Sequence, residues 1–365
     1  MTTLTYKDLH RQFKLNGRSY SKVELKEVAY SLVKEGEEYE RAIGDFLIDW
    51  LNDKSTITVR TSGSTGEPKA IMLQKQQMVN SAIATGDFFE LQPSDRALLC
   101  LSAGFIAGKM MLVRAMVLGL AIDCVSPSSN PLTATTGDYD FVAMVPLQFR
   151  NSLNELDGVK KLIVGGAPVS YTLKKEFLNA SQRTNVYETY GMTETITHIA
   201  VKPLLGELIV SDIDLDVFSI LAIVKITMDE RGCLVIDAPL VSDEIIYTND
   251  IVELLSDKQF KWLGRFDNII NSGGVKLFPE QIEAKLASVM DDRFFVTGLP
   301  DEKLGQRLVL IVEGIQEAPV LQEKIEELTS LNKYEIPKQI LMVDSFVETA
   351  SGKIQRKATL DKITF

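Results

Sequence analysis

Histidine is scarce: His10 and His198 are the only two among 365 residues, so a centre built from several imidazoles is excluded. Cysteine is nearly as rare. Cys100, Cys124 and Cys233 stand far apart in apolar runs, which argues against a disulfide framework or a CxxC metal site and for buried, reduced thiols. Positive charge is not in excess either. Acidic residues outnumber basic ones 50 to 39 for a net charge of -11, a balance that repels a phosphate backbone, so no nucleic-acid partner is expected. No run of about eighteen apolar residues could span a bilayer, and the start, MTTLTYKDLH, lacks the basic-then-apolar pattern of an export signal. A cytoplasmic location without membrane insertion is the expectation.

What is present is the mixture of an ordinary globular protein, 45% hydrophobic, 24% charged and 8% aromatic, at a length that favours two domains. From Ile57 to about Tyr190, apolar runs alternate with segments of helical period. ITVRT at 57 to 61, ALLCLS at 97 to 102, AIDCVS at 121 to 126, FVAMV at 141 to 145 and KLIVGG at 161 to 166 read as buried strands. Gln74 to Phe88, Ile106 to Leu118 and Ser170 to Leu178 read as crossover helices between them. The expected fold class is therefore α/β, a mostly parallel sheet flanked by helices. Short strands between Leu204 and Trp262, with a hairpin turn at Glu230, Arg231 and Gly232, predict a small β subdomain. Beyond Gly264, a helix at Pro279 to Val289, strands at FFVTG and RLVLIV, a helix at Leu321 to Thr329 and a strand at Gln339 to Val343 predict a compact α+β domain of about 100 residues.

The first segment that carries chemistry is TSGSTGEPK, directly after the strand ITVR and ahead of a helical segment. Gly63 and Gly66 let the backbone turn its amides toward an anion. Thr61, Ser62, Ser64 and Thr65 add hydroxyl donors, and Lys69 adds charge. Polyphosphate is the expected ligand. The spacing is not that of a Walker A loop, since Lys69 follows Pro68 and precedes Ala70.

TSGSTGEPK resembles the signature of the acyl-adenylate-forming superfamily, which includes acyl-CoA synthetases, luciferases and peptide-synthetase adenylation domains. YGMTE, Tyr190 to Glu194, matches that family's aromatic-Gly-x-Thr-Glu segment. The resemblance implies ATP and Mg²⁺ as cofactors. Tyr190 and Gly191 would border adenine, Thr193 would bond the α-phosphate, and Glu194 would hold the magnesium; oxygen ligation by one carboxylate plus phosphates suits that ion. Gly165, Gly166 and Ala167 of GGAP resemble the segment along the adenine and acyl pocket. YTND, Tyr247 to Asp250, resembles a Tyr-x-Thr-Gly-Asp segment, with Asn249 in the glycine's place. Asp250 and Arg265 would hold the ribose. Asparagine tolerates left-handed backbone, which would explain the exchange.

GRFDNIINSGGVKLFPEQIE, Gly264 to Glu283, resembles the segment joining the family's large and small domains. It implies a large domain at 1–264, a hinge at 265–267 with Asp267 at its centre, and a small mobile domain at 268–365. Ser272, Gly273, Gly274 and Lys276 would line the tunnel for the thiol arm of coenzyme A. SGKIQR near the end would supply Lys353, whose ammonium stabilises the charge that builds as a carboxylate attacks the α-phosphate. Thr193, Glu194 and Lys353 are thus the catalytic set.

The chain is short for the superfamily and resembles the 2-succinylbenzoate-CoA ligases, so that acid and coenzyme A are the expected small-molecule partners. SAGFIAGKMM resembles the border of the acyl pocket, with Phe105 where relatives often have histidine. A second carboxylate needs a buried cation. Lys109 fits that role, and is equally a snorkelling lysine at the start of an apolar helix. His198 is placed at the pocket's rim, or is structural. Two other functions share these motifs: an enzyme loading a carrier-protein thiol, and a non-catalytic nucleotide-binding relative. A homodimer is a further expectation.

Overall fold

The protein is represented by a computed structural model that describes residues 4–60, 70–180, 183–205, 216–290, 292–314, 318–348 and 354–363. Strands Arg96–Leu99, Ala121–Cys124, Tyr139–Met144, Val159–Val164 and Asn185–Gly191 pair parallel at the centre of a 13-stranded sheet. Their apolar runs are continuous because both faces are covered. Ala97, Leu99, Phe141, Ala143 and Ile163 point to one core, while Leu98, Val142, Met144, Leu162 and Val164 point to the other, as a side-chain period of two requires. Helices Lys75–Phe88 and Ile106–Leu118 pack into the first core with two outer helices, Lys22–Glu35 and Glu38–Leu51. The short helices Pro146–Asn151 and Tyr171–Ala180 cover the second.

Two sequence expectations are corrected. Thr56–Arg60 does not join the parallel sheet; it pairs antiparallel with Ala70–Gln74 as a separate two-stranded sheet. The segment 61–69 therefore connects two strands, and the helix starts only at Lys75. In Ala70–Gln74, Leu73 is buried and Ile71 half-buried while Ala70, Met72 and Gln74 are exposed, a period of two that belongs to a strand. The strands expected as a β subdomain, Val217–Ile220, Lys225–Met228, Cys233–Asp237, Ile246–Leu254 and Gln259–Arg265, do not form a sheet of their own. They extend the same sheet in antiparallel pairing beyond His198–Leu205.

After the single turn Phe266–Asn268, strands Ile270–Ser272, Val275–Leu277, Phe294–Asp301, Gly305–Glu313 and Gln339–Val343 form a second sheet of 5 strands. It too is buried on both faces, with Val296, Leu308, Leu310 and Val312 on one and Phe295, Leu299, Val309 and Ile311 on the other. Helices Pro279–Leu286, Ala318–Glu326 and Arg356–Leu360 complete this part of the chain. Gln281 Nε2 donates to the carbonyl of Trp262 at 3.0 Å, joining it to the last strand of the large sheet.

Candidate active site

Val159–Val164 and Asn185–Gly191 are neighbouring parallel strands, with Val164 opposite Glu188. GGAP and YGMTE therefore leave the sheet side by side at its carboxyl edge, where open α/β sheets bind ligands. Glu188, which the motifs do not single out, anchors the first loop by accepting from the Val169 amide at 3.2 Å. Gly191 is demanded by its neighbours. A Cβ there would lie 2.3 Å from the Thr197 carbonyl oxygen and 2.4 Å from the His198 Cα, because His198 pairs with Gly191 in the adjoining strand.

The chain then turns through Thr193–Thr195, leaving Thr193 half-buried and Glu194 exposed. Ile196 follows at φ 67 and ψ -64, with the Thr197 amide donating to the Thr195 carbonyl at 2.8 Å. A buried β-branched residue in such a γ-turn is strained. Thr195 holds the turn, its hydroxyl donating to Thr197 O at 2.7 Å and accepting from Met192 N at 3.0 Å. Such strain persists where surrounding structure over-determines it, as at ligand sites.

Beside this turn lies a polar cluster built by two antiparallel strands. Tyr190 packs edge-on against Phe218 and Phe260 and donates its hydroxyl to Asp250 Oδ2 at 2.7 Å. Burial, and then the Asp250 charge, push the phenol far above its usual range, so it remains a donor. Asp250 stands opposite Arg265, and its Oδ1 accepts from Arg265 Nη1 at 3.3 Å and from Trp262 Nε1 at 3.1 Å. Trp262 has no motif of its own; only strand pairing brings it here. Asn249 is not left-handed. Its amide instead donates to Asp267 Oδ2 at 3.2 Å, and its Oδ1 accepts from Arg231 at 2.9 Å.

A second cluster lies under the Met192–Thr197 turn. Arg114, in the middle of the helix Ile106–Leu118, is 2% exposed and donates through Nη2 to Thr197 Oγ1 at 3.1 Å. Its Nε is buried without a partner. No carboxylate among the described residues offsets it, and burial alone pushes the guanidinium down to about 10. Ser81 Oγ lies 3.1 Å from the same Thr197 hydroxyl, and Thr85 Oγ1 lies 3.4 Å from His198 Nε2. His198 is buried here rather than at a rim, and burial together with Arg114 holds its imidazole well below 6.5. Lys109 is turned elsewhere: its ammonium donates to Ala103 O at 2.6 Å and sits over Phe46. Five helical positions separate it from Arg114, about 140° around the axis. A buried cation without an anion is costly, which is the signal sequence reading missed: an arginine inside the otherwise apolar MMLVRAMVL.

Phe105 is 56% exposed at the start of that helix. Ser272 to Lys276 form a tight hairpin with Gly273 and Gly274 at φ 58 and 82, the backbone a two-residue turn demands, and Gly273 N donates at 2.8 Å to the carbonyl of Leu304 in the turn before the strand Gly305–Glu313. Thr61, Ser62, Gly63, Ser64, Thr65, Gly66, Lys69 and Lys353 lie outside the described residues. Among the described residues no group of three or more metal-ligating side chains exists. The lone exposed Glu194 fits an ion held mainly by phosphate and water, as Mg²⁺ commonly is.

Comparison with known proteins agrees with this arrangement. The AMP-binding enzyme family model matches residues 46–216. The acyl-CoA synthetase (AMP-forming)/AMP-acid ligase II-like protein from Dyadobacter fermentans is 37% identical, with 93% of this chain and 98% of that one covered at a TM-score of 0.61. A 2-succinylbenzoate–CoA ligase from Geobacillus sp. (strain WCH70) is 27% identical over 341 residues, 84% of this chain and 68% of its own length. The o-succinylbenzoate CoA synthetase of Bacillus subtilis, solved with an acyl-adenylate intermediate, shares the fold at a TM-score of 0.70 and 21% identity, with 84% and 69% covered.

Proposed function

The chain belongs to the AMP-binding, acyl-adenylate-forming enzymes, and from that membership we propose that it is an AMP-forming acyl-CoA ligase whose acid is a dicarboxylate, 2-succinylbenzoate. The observation that carries the substrate is Arg114: a buried guanidinium with no carboxylate partner among the described residues, set against the turn that bears Thr193 and Glu194. A second, non-reacting carboxylate would supply the missing charge. Relatives named 2-succinylbenzoate–CoA ligase support the same acid.

In the first half-reaction one carboxylate oxygen attacks the α-phosphorus of ATP, and pyrophosphate leaves with the bonding electrons. In the second, the coenzyme A thiolate attacks the acyl carbon and AMP leaves. Asp250, steadied by Tyr190, Trp262 and Arg265, keeps one lone pair on Oδ2 that would accept from a ribose hydroxyl, and the hydroxyl-rich loop from Thr61 to Lys69 would cradle the phosphates. Thr193 would bond the α-phosphate. Glu194 would hold Mg²⁺, which supplies charge neutralisation on the phosphates, and Lys353 would add its ammonium as charge builds. Rotation of residues 268–365 about 265–267 would exchange Lys353 for the Ser272–Lys276 turn between the half-reactions.

An ATP–pyrophosphate exchange screen over carboxylic acids tests this reading. The expected result is exchange with 2-succinylbenzoate and little with the analogue lacking the spectator carboxylate. Equal exchange with both acids refutes the dicarboxylate assignment.

A further inference from the structure

Asp250 is 7% exposed, and the strand opposite it is irregular. Asp250 pairs with Arg265 and Ile251 with Gly264, but Val252 pairs with Trp262 and Leu254 with Phe260. Leu263 is thus an extra residue on its strand, a β-bulge beside Gly264, whose φ of 149 is a backbone that glycine adopts freely. This one-residue step decides which side chains share a face. In unbroken register Trp262 would stand opposite Glu253, on the face of the sheet away from Asp250. With the bulge, Trp262 and Phe260 both come onto the face that carries Asp250 and Val252.

The indole delivered this way nearly fills the carboxylate. An ionised carboxylate has about four acceptor sites, two on each oxygen. Oδ1 uses both, accepting from Trp262 Nε1 at 3.1 Å and from Arg265 Nη1 at 3.3 Å. Oδ2 uses one, accepting from the Tyr190 hydroxyl at 2.7 Å. The donors are themselves fixed. Tyr190 is set edge-on against Phe218 and Phe260, and the carbonyl of Trp262 accepts from Gln281 Nε2 at 3.0 Å. The Asp250 amide donates to Thr248 Oγ1 at 3.1 Å, so the stem of the carboxylate is held as well. The two cis hydroxyls of a ribose can divide themselves between the oxygens of a free carboxylate, one on each. This carboxylate has no second oxygen to give.

We propose that Asp250 reads a single ribose hydroxyl of ATP, and that Trp262 is the positioning residue that imposes this by filling Oδ1. The inference rests on the reading of Asp250 as the ribose acceptor. One hydroxyl meets the remaining lone pair of a buried, charged acceptor, and the other finds no acceptor on Asp250. Loss of the 2′ hydroxyl and loss of the 3′ hydroxyl therefore have unequal effects.

The test is calorimetric titration of the intact chain with ATP, 2′-deoxy-ATP and 3′-deoxy-ATP, each with Mg²⁺ and without any acid. For wild type, one deoxynucleotide is expected to bind about 10- to 100-fold more weakly than ATP, the scale of one hydrogen bond to a charged group, and the other within about threefold of ATP. Equal losses for the two overturn the proposal. Trp262→Phe keeps a ring in the strand but removes the donor, which frees an acceptor on Oδ1, so the two losses should converge to within about threefold of each other. A merely structural tryptophan would instead weaken all three nucleotides in parallel and keep the wild-type ratio between the deoxynucleotides, and that result also overturns the proposal. Asp250→Ala is the control. If it binds ATP as wild type does, the reading of Asp250 fails and the proposal with it; if it binds ATP weakly while wild type treats both deoxynucleotides alike, only the single-hydroxyl assignment is wrong. Failure of the 2-succinylbenzoate assignment would leave every one of these titrations unchanged.

Discussion

Replacing Arg114 with methionine should make the free protein more stable and the substrate complex weaker. Burial pushes this guanidinium down to about 10, and at about 1.36 kcal/mol per pKa unit a shift of that size costs the unliganded fold roughly 3 kcal/mol. Methionine removes that cost and fills much of the same volume. It also forfeits the bond to Thr197 Oγ1 at 3.1 Å, worth about 1 kcal/mol. The expected net gain is about 1–2 kcal/mol in urea denaturation of the free protein. With the acid bound the sign reverses, because a buried carboxylate left without its partner costs about 3–5 kcal/mol. Apparent affinity for 2-succinylbenzoate in pyrophosphate exchange should then fall by roughly 10²- to 10³-fold. The analogue without the spectator carboxylate should bind wild type and variant alike. Lys109→Ala, which removes only the bond to Ala103 O and contact with Phe46, is expected to leave both affinities near wild type. An Arg114→Met protein that is destabilised yet keeps its affinity for the diacid would refute the reasoning outright.

Other outcomes can be read from single measurements. His198 is held neutral in the fold well below its ordinary 6.5, so below that pH the unfolded chain binds the extra proton. Stability should therefore be lost as pH falls from 6.5, by at most about 1.4 kcal/mol per unit, and His198→Gln should flatten this slope in denaturation series between pH 6.5 and 5. An identical slope in the variant would place the acid sensitivity elsewhere. Gly191→Ala drives a Cβ to 2.3 Å from the Thr197 carbonyl oxygen. It should cost about 1–3 kcal/mol by overpacking and displace the Thr193–Thr195 turn, lowering exchange activity; an unchanged urea midpoint would show that the neighbouring strand yields.

The motifs that carry the family resemblance are local: glycines, hydroxyls and one basic side chain within nine residues of TSGSTGEPK, and YGMTE, whose own turn holds Thr193 half-buried and Glu194 exposed. Strand periodicity also told which segments are buried. It does not tell with what they pair: Thr56–Arg60 reads as a member of the parallel sheet but pairs antiparallel with Ala70–Gln74, and the later strands read as a separate unit but extend the main sheet. Hydrophobic pattern records exposure at each position and carries no register between distant strands.

The sequence by itself thus determined the family and its nucleotide chemistry. Tertiary structure alone decided which buried cation has no carboxylate partner among the described residues. Arg114 meets Thr197 across 83 positions, Tyr190 meets Asp250 across 60, and Arg356 meets Glu283 across 73. Whether a buried charge is satisfied depends on what folding brings within about 3 Å of it, and that is a property of packing rather than of neighbours in the chain.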